Sequence, residues 1–384
     1  MKIVYVVGGL LAPNGMSSVL SAKINYLAEH TDYELYMILT ERAGQKWYYH
    51  INPKVHWVNF DINFDELDTM PLLKKLFFYQ QKQRRYKKMF TDYLMKVRPD
   101  ITVSTVRREI NFINDIPDGS KKVGEIHFNR FNYRNIHISF LSASLNHYLS
   151  RKWMSSLVRQ IARLDSFIVL THKDAANWKE LTNVQVIPNF VTHIPTQISN
   201  CANKQVIAAG RYDKVKGFDM LIKAWSEVYK KHPDWNLDIY GAGNREEYQQ
   251  MTDELGLSKV VHCNGPVSNI DSKYADSSLF VLSSRYEGFP MVLPEAMAAG
   301  LPIVAFDCPC GPSDIIHNNE DGILVEEENV QELAQGICYL IEKECERKAF
   351  GNNARRNVRR FSQGNVMEQW TELFSHLTRS NKNR

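Results

Sequence analysis

Four groups of residues in this sequence have the types and spacing to do chemistry. Glu287 and Glu295 stand either side of a glycine–proline turn in RYEGFPMVLPEAMAAGLP, residues 285–302. In an open parallel sheet, ligands collect at the carboxyl ends of the strands, where helix N-termini also point. Carboxylates held there accept hydrogen bonds from hydroxyls on two parts of one ligand, as sugars and riboses present them. Two surface glutamates beside a strand-to-helix turn would give the same spacing. Arg211 and Lys216, in GRYDKVKG, flank a second turn. Arginine offers bidentate hydrogen bonds and lysine a compact charge, so the pair suits a diphosphate; the alternative is a basic surface loop. His127 closes GEIH, and its place at a strand end favours a ligand contact over a structural role. Gly8 and Gly9 follow the first apolar run and can bring backbone N–H groups close to a phosphate.

These residues need strands, turns and helices in alternation to position them. Residues 2–7 are mostly apolar without clean alternation, as a strand buried on both faces requires. A glycine-rich turn and a helix from about Val19 to Glu29 follow, which is how a Rossmann-like unit opens. The turn GGLLAPNG is not GxGxxG, and no acidic residue stands where a dinucleotide ribose would need one. Further strands are expected at residues 34–39, 55–58, 100–105, 123–127 and 164–170. Residues 190–204 lack periodicity and read as a linker. A second series opens at Val206–Ala209, continues through Leu237–Tyr240 with Gly241, then Val260–His262 with Pro266 and Val267, and ends at Ile323–Val325. Helices are expected at 330–343, 346–360 and 364–378. The fold class is α/β, in two domains.

Length and composition agree. A chain of 384 residues exceeds one ordinary domain, 44% apolar residues support packed cores, and a net charge of +4 gives no argument for nucleic acid. The N-terminal apolar run carries glycines, a proline and no small-residue cleavage site, so a first strand is expected there, not a signal peptide. No apolar stretch is long enough to span a bilayer. All six cysteines fall after residue 200 in no zinc pattern, and Cys308-Pro309-Cys310 is too tight for an ordinary disulfide framework. Reduced thiols in a cytoplasmic protein are expected.

The segment EGFP, a small-residue helix and then GLPIV resembles the Glu-x7-Glu signature of retaining GT-B glycosyltransferases, closest to glycosyltransferase family 4. GR-x4-KG at 210–217, YGAG at 240–243 and VIPN at 186–189 resemble the same family. The likeness is dense from about Val206 to Val325 and sparse before it. It implies two Rossmann-like domains facing across a deep cleft, with a C-terminal helix crossing back to the first. The expected boundaries are 1–189 for the acceptor domain, 190–204 for the linker, 205–364 for the nucleotide-sugar domain and 365–384 for the returning helix and tail.

The implied reaction moves a hexose or N-acetylhexosamine from a nucleotide diphosphate sugar, expected to be a UDP-sugar, to a glycan hydroxyl with retention. A same-face attack assisted by the leaving phosphate is the family's usual route. By motif, Arg211 and Lys216 hold the diphosphate, Glu295 the ribose and Glu287 the donor sugar, which His127 also contacts. Gly210, Gly241, Pro266, Val267, Gly288, Phe289, Pro290, Met291 and Val292 complete the nucleotide-sugar site, with Gly8 and Gly9 on the phosphate from the other domain. Pro290 has no N–H and lends shape only. No Asp-x-Asp pair occurs, so neither metal nor cofactor is expected.

Residues 72–98 carry nine Lys or Arg against the single acid Asp92, with Leu72, Leu73, Leu76, Phe77, Phe78 and Tyr79 at the front. This reads either as a long helix packed on the sheet or as a helix pair lying on an anionic inner leaflet near an acceptor site. A lipid-linked glycan of a bacterial surface polysaccharide is the acceptor expected from it, with the protein peripheral to the cytoplasmic membrane face. Two alternatives stay open: a nucleotide-sugar epimerase of the same fold, and a non-catalytic nucleotide-sugar-binding partner of a membrane complex.

Overall fold

The computed structural model describes residues 1–11, 14–133 and 142–382. Thirteen strands among these form two sheets in which every ladder is parallel. The first sheet holds β1 (Lys2–Val7), β2 (Glu34–Leu39), β3 (His56–Asn59), β4 (Ile101–Ser104), β5 (Lys121–Glu125), β6 (Ser166–Val169) and β7 (Val184–Val186), in the order 3-2-1-4-5-6-7. The second holds β8 (Gln205–Ala209), β9 (Asn236–Tyr240), β10 (Val261–Asn264), β11 (Leu279–Leu282), β12 (Ile303–Phe306) and β13 (Gly322–Val325), in the order 10-9-8-11-12-13. In each sheet the direction of winding reverses once, between β1 and β4 and between β8 and β11. Such a switch point opens a crevice at the carboxyl ends of the two strands.

The chain divides into two compact units. One comprises Met1–Leu170, Asp174–Ile187 and Val366–Arg384; the other comprises Thr171–Lys173 and Pro188–Asn365. The central strands are buried along their length because helices cover both faces of each sheet. The first core is aromatic: Tyr86, Phe90, Phe112, Phe60 and Phe64 meet mostly edge to face. In the second unit the helix Phe218–Lys231 presents Leu221, Trp225 and Val228 to the sheet.

Residues 190–204, expected to be a linker, are part of the second unit. Phe190, Val191 and Cys201 are buried, the Val191 N–H donates to the Phe361 carbonyl at 2.9 Å, and Arg347 Nε donates to the Cys201 carbonyl at 3.0 Å. Periodicity fails to find such a segment because its anchors are single apolar residues on irregular backbone. Residues 72–98 form one continuous helix, α2 (Leu72–Val97), not a pair. Its rear half packs through Tyr86, Phe90 and Leu94, while Leu72, Leu76, Phe77 and Phe78 at its front are exposed. The helix Gln363–Lys382 sends Trp370, Phe374 and Leu377 into the interior of the first unit. Among the described residues, no helix is long and apolar enough to cross a membrane.

Candidate active site

In the second unit the β8–β11 switch point gathers the motif residues. After β8, the chain turns through Gly210 and Arg211 to a single 3-10 turn, Lys214–Lys216, whose first amides are capped by the Asp213 carboxylate. Gly217 then takes φ +63°, and a Cβ there would lie 2.0 Å from the Ser283 carbonyl oxygen, so only glycine lets the β8 turn close on β11. The result is a contact between motifs 71 residues apart: Lys216 Nζ donates to Glu287 Oε1 at 2.7 Å, and the Ser284 hydroxyl donates to the same oxygen at 2.6 Å. Both partners are mostly buried, so the pair is little screened. The Lys216 stem lies over Gly210, 3.2 Å from where a Cβ would stand. Gly241 is required for a similar reason, since a Cβ there would reach 1.7 Å from the Gly210 carbonyl oxygen.

The other residues of the motif are placed differently from one another. Arg211 extends into solvent and pairs with Asp213 at 3.2 Å. Phe289 is buried with its ring edge-on to Phe361, leaving only its backbone for a ligand. Pro290 packs on the Gly311 backbone and the Glu287 N–H donates to the Pro309 carbonyl at 3.2 Å, so the Asp307–Asp314 loop underlies the turn. Gly288, Met291 and Val292 are half-buried along that turn, and the short helix Val292–Ala298 follows. Pro266 and Val267 are exposed just past the carboxyl end of the edge strand β10.

Glu295 does not join the Lys216–Glu287 pair. It faces Tyr274 and Asp271 on the preceding helix, and burial, then the Asp271 charge, pushes its carboxyl up to about 7. Because the folded value lies above the usual carboxylate value of 4.5, this group favours folding while protonated. Its contribution is complete below the unfolded value and is lost as pH rises through about 7. Glu295→Gln is therefore expected to flatten the fall in melting temperature between roughly pH 5 and 8. An unchanged slope would show that Glu295 does not titrate there.

In the first unit Gly8 and Gly9 lie just past β1, at the switch point with β4. His127 follows β5 with its ring almost wholly covered, Nε2 3.2 Å from Glu125 Oε1. Glu125 in turn makes an ion pair with Lys23 from helix α1 (Gly15–His30), their side chains only 1% and 2% exposed. Lys23 Nζ also sits 3.7 Å from the centroid of the Trp370 ring. Burial alone would raise the Glu125 carboxyl; Lys23, then His127, hold it down at about 2. Sequence reasoning missed Lys23, although a lysine within the apolar stripe of Leu20, Ile24 and Leu27 was a legible signal. Of the polar residues after His127, Asn129 is buried and Arg130 is committed to Glu180 and to the face of Trp178. Arg134 onward, to residue 141, lies outside the described residues. Among the described residues, no cluster of three or more His, Cys, Asp or Glu side chains is placed to hold a metal ion.

Residues 195–357, most of the second unit, match the family model described as glycosyl transferases group 1. An uncharacterized glycosyltransferase of Haemophilus influenzae is 35% identical over 186 residues, 47% of this chain and 53% of that protein. The poly(ribitol-phosphate) alpha-N-acetylglucosaminyltransferase of Staphylococcus aureus is 29% identical over 254 residues, 65% of this chain and 52% of that protein. The chain thus spans about half the length of these curated relatives. Across 97% of this chain and 99% of the other, the fold matches a variant of S. aureus TarM solved with fondaparinux, alpha-GlcNAc-glycerol and UDP. The TM-score is 0.73 at 18% identity. The architecture is α/β and GT-B, two parallel-sheet units of the kind glycosyltransferases use, and the second unit is similar to glycosyltransferases of group 1.

Proposed function

We propose that this chain transfers a hexose or N-acetylhexosamine from a nucleotide diphosphate sugar, a UDP-sugar in the first instance, to a glycan hydroxyl. The observation that carries this reading is the Lys216–Glu287 contact at the β8–β11 switch point, inside the segment that matches group 1 glycosyltransferases. Breaking the bond between sugar and phosphate leaves negative charge on the leaving phosphate. Lys216, held in a mostly buried site, supplies fixed positive charge to it, and Arg211, free to swing from Asp213, adds a second cation. Glu287 orients Lys216 and takes hydroxyls of the donor sugar; Glu295 takes those of the ribose. His127 meets the donor sugar from the first unit. These cations give the phosphate its charge partner without a metal, and a chelator is expected to leave the rate unchanged. Retention by same-face attack is the route in this reading.

The acceptor in this reading is a lipid-linked glycan of a bacterial surface polysaccharide, reached at the inner membrane face from the cytoplasm. Two features support it. Leu72 and Phe77, 42% and 68% exposed, stand beside Lys74 and Lys75 at the front of α2. Residues 126–164 contain no acid, and their helix α3 (Ala143–Ile161) exposes Tyr148 and Trp153 with Arg151 and Lys152. Aromatic and basic residues in that combination suit an anionic interface, at about 1 kcal/mol per basic residue. Co-sedimentation with anionic vesicles that Phe77→Asp and high salt both weaken is expected; equal binding to neutral vesicles, or none, removes the membrane from the reading.

Thermal melting with a panel of nucleotides and nucleotide sugars tests the donor site. A selective rise with UDP compounds, abolished by Arg211→Ala, is expected. No rise with any nucleotide overturns the transferase reading, and turnover of a nucleotide sugar without acceptor would replace it by epimerisation.

A further inference from the structure

The first unit has a crevice of its own at the β1–β4 switch point, and among the described residues one exposed cation in it makes no ion pair. Beyond β4 the chain runs Thr105-Val106-Arg107-Arg108. Val106 is fully buried and takes φ +56°, a left-handed conformation that is an outlier for a β-branched residue. It is held there from several sides. Its N–H donates to the Ser104 hydroxyl at 2.9 Å, its carbonyl accepts the Tyr133 hydroxyl, and its side chain packs against Gly124. The buried Glu109 carboxylate takes the next N–H, that of Arg107, at 3.1 Å, together with the Ser104 hydroxyl at 2.6 Å. Backbone held in so sparse a region by its surroundings is characteristic of ligand sites.

The consequence of this turn is the placement of Arg107. Its guanidinium lies back over β1, with Nη1 3.3 Å from where a Cβ of Gly8 would be. Glycine leaves the guanidinium room; a side chain would crowd it. Among the described residues no carboxylate comes within ion-pair distance of Arg107. Arg108 differs: it packs over the Phe64 ring at 4.3 Å and offsets the charge of Glu41. Gly8, Thr40, Glu41, Arg107 and Arg108 line one small cavity. Of the carboxylates there, Glu109 is engaged by hydrogen bonds. Glu41 accepts the Thr40 hydroxyl at 3.4 Å on one oxygen, its other oxygen has no hydrogen-bond partner among the described residues, and burial, then the Asp65 charge, raises its carboxyl to about 6. Arg107 stands exposed there, with no ion pair among the described residues.

We infer that Arg107 is a phosphate-binding residue of the first unit, presented over the Gly8 turn by the left-handed Val106. An exposed guanidinium at a switch-point crevice matches the bidentate geometry of a phosphate ester. Two sources supply that chemistry, the diphosphate of a nucleotide sugar and a phosphate on the acceptor; assigning either rests on the transferase reading, whereas phosphate binding itself does not.

Calorimetric titrations of wild type, Arg107→Ala and Arg107→Lys with UDP, glycerol 3-phosphate and inorganic pyrophosphate separate these cases. Because Arg107 is exposed, the variants are expected to melt within about 2 °C of wild type. A loss of about tenfold or more in UDP affinity in Arg107→Ala, partly restored in Arg107→Lys, assigns the donor phosphate. The same loss for glycerol 3-phosphate alone assigns an acceptor phosphate. Wild-type UDP binding that Arg211→Ala abolishes and Arg107→Ala leaves intact, with the other two probes also indifferent to Arg107, overturns the inference while the transferase reading stands. If wild type binds no UDP, that reading fails, and pyrophosphate decides: binding lost in Arg107→Ala upholds the inference, and binding absent or unchanged overturns it.

Discussion

Lys216→Ala is expected to lower the rate of glycosyl transfer by about 10²–10³-fold, alongside a loss of melting temperature from leaving the mostly buried Glu287 without its cation. The ammonium is already fixed before a donor arrives, 2.7 Å from Glu287 and with its stem lying over Gly210. A charge so placed needs no reorganisation when the phosphate departs, which is why its loss falls on the transition state more than on binding. The kinetic signature is a drop in kcat larger than any rise in KM for the donor. Gly210→Ala tests the same geometry without removing charge: a Cβ 3.2 Å from the lysine stem forces it aside, and a smaller loss is expected. Steady-state kinetics with a UDP-sugar and a glycan acceptor measure both. If Lys216→Ala retains more than about a third of wild-type kcat, the charge does not act in the transition state and the assignment of Lys216 fails.

The largest effect on stability is expected at Lys23. Lys23→Met strands the Glu125 carboxylate in the interior of the first unit, with His127 as the nearest compensating group. Breaking a buried pair by removing one partner costs about 3–5 kcal/mol, whereas replacing both partners by apolar or neutral groups is often nearly neutral. Lys23→Met is therefore expected to lower the melting temperature by on the order of 10 °C. The double variant Lys23→Met with Glu125→Gln should recover most of it. The pH dependence has a definite sign. The folded-state value for Glu125 lies below the usual 4.5, so its stabilisation is complete above the unfolded value and is lost as pH falls from there through about 2. Removing Glu125 should thus flatten the acid limb and leave the neutral region alone. Thermal melts of the single and double variants across pH 2–7 decide this, and a double variant no more stable than Lys23→Met would show the pair is not what holds that region. Trp370 fluorescence reports the same site, because its ring lies against Lys23.

The two kinds of residue in these predictions were not equally legible in the sequence. Glu287, Arg211 and Lys216 stand in short motifs, and the turns that carry them are dictated locally. Gly217 is a left-handed position, Asp213 caps the turn next to it, and apolar runs of strand length precede each one. Order and type of elements were legible for the same reason, since a strand buried on both faces and an amphipathic helix each write their period into a dozen residues. The sheet order, with its two switch points, was not: it depends on which strands pair, and parallel pairing leaves no local mark.

By itself, then, the amino-acid sequence determined an α/β chain of alternating strands and helices, and the residues of the second unit that stand at strand ends. Tertiary structure alone decided the partnerships: Lys216 with Glu287, Lys23 with Glu125 and Trp370, and Arg107 over Gly8. It also decided that residues 190–204 belong to the second unit and that the front of α2 is exposed while its rear is packed. The physical reason is common to all of these. A turn or a period is set by neighbours in the chain, whereas the charge or ring a buried group will meet is set by how distant elements pack.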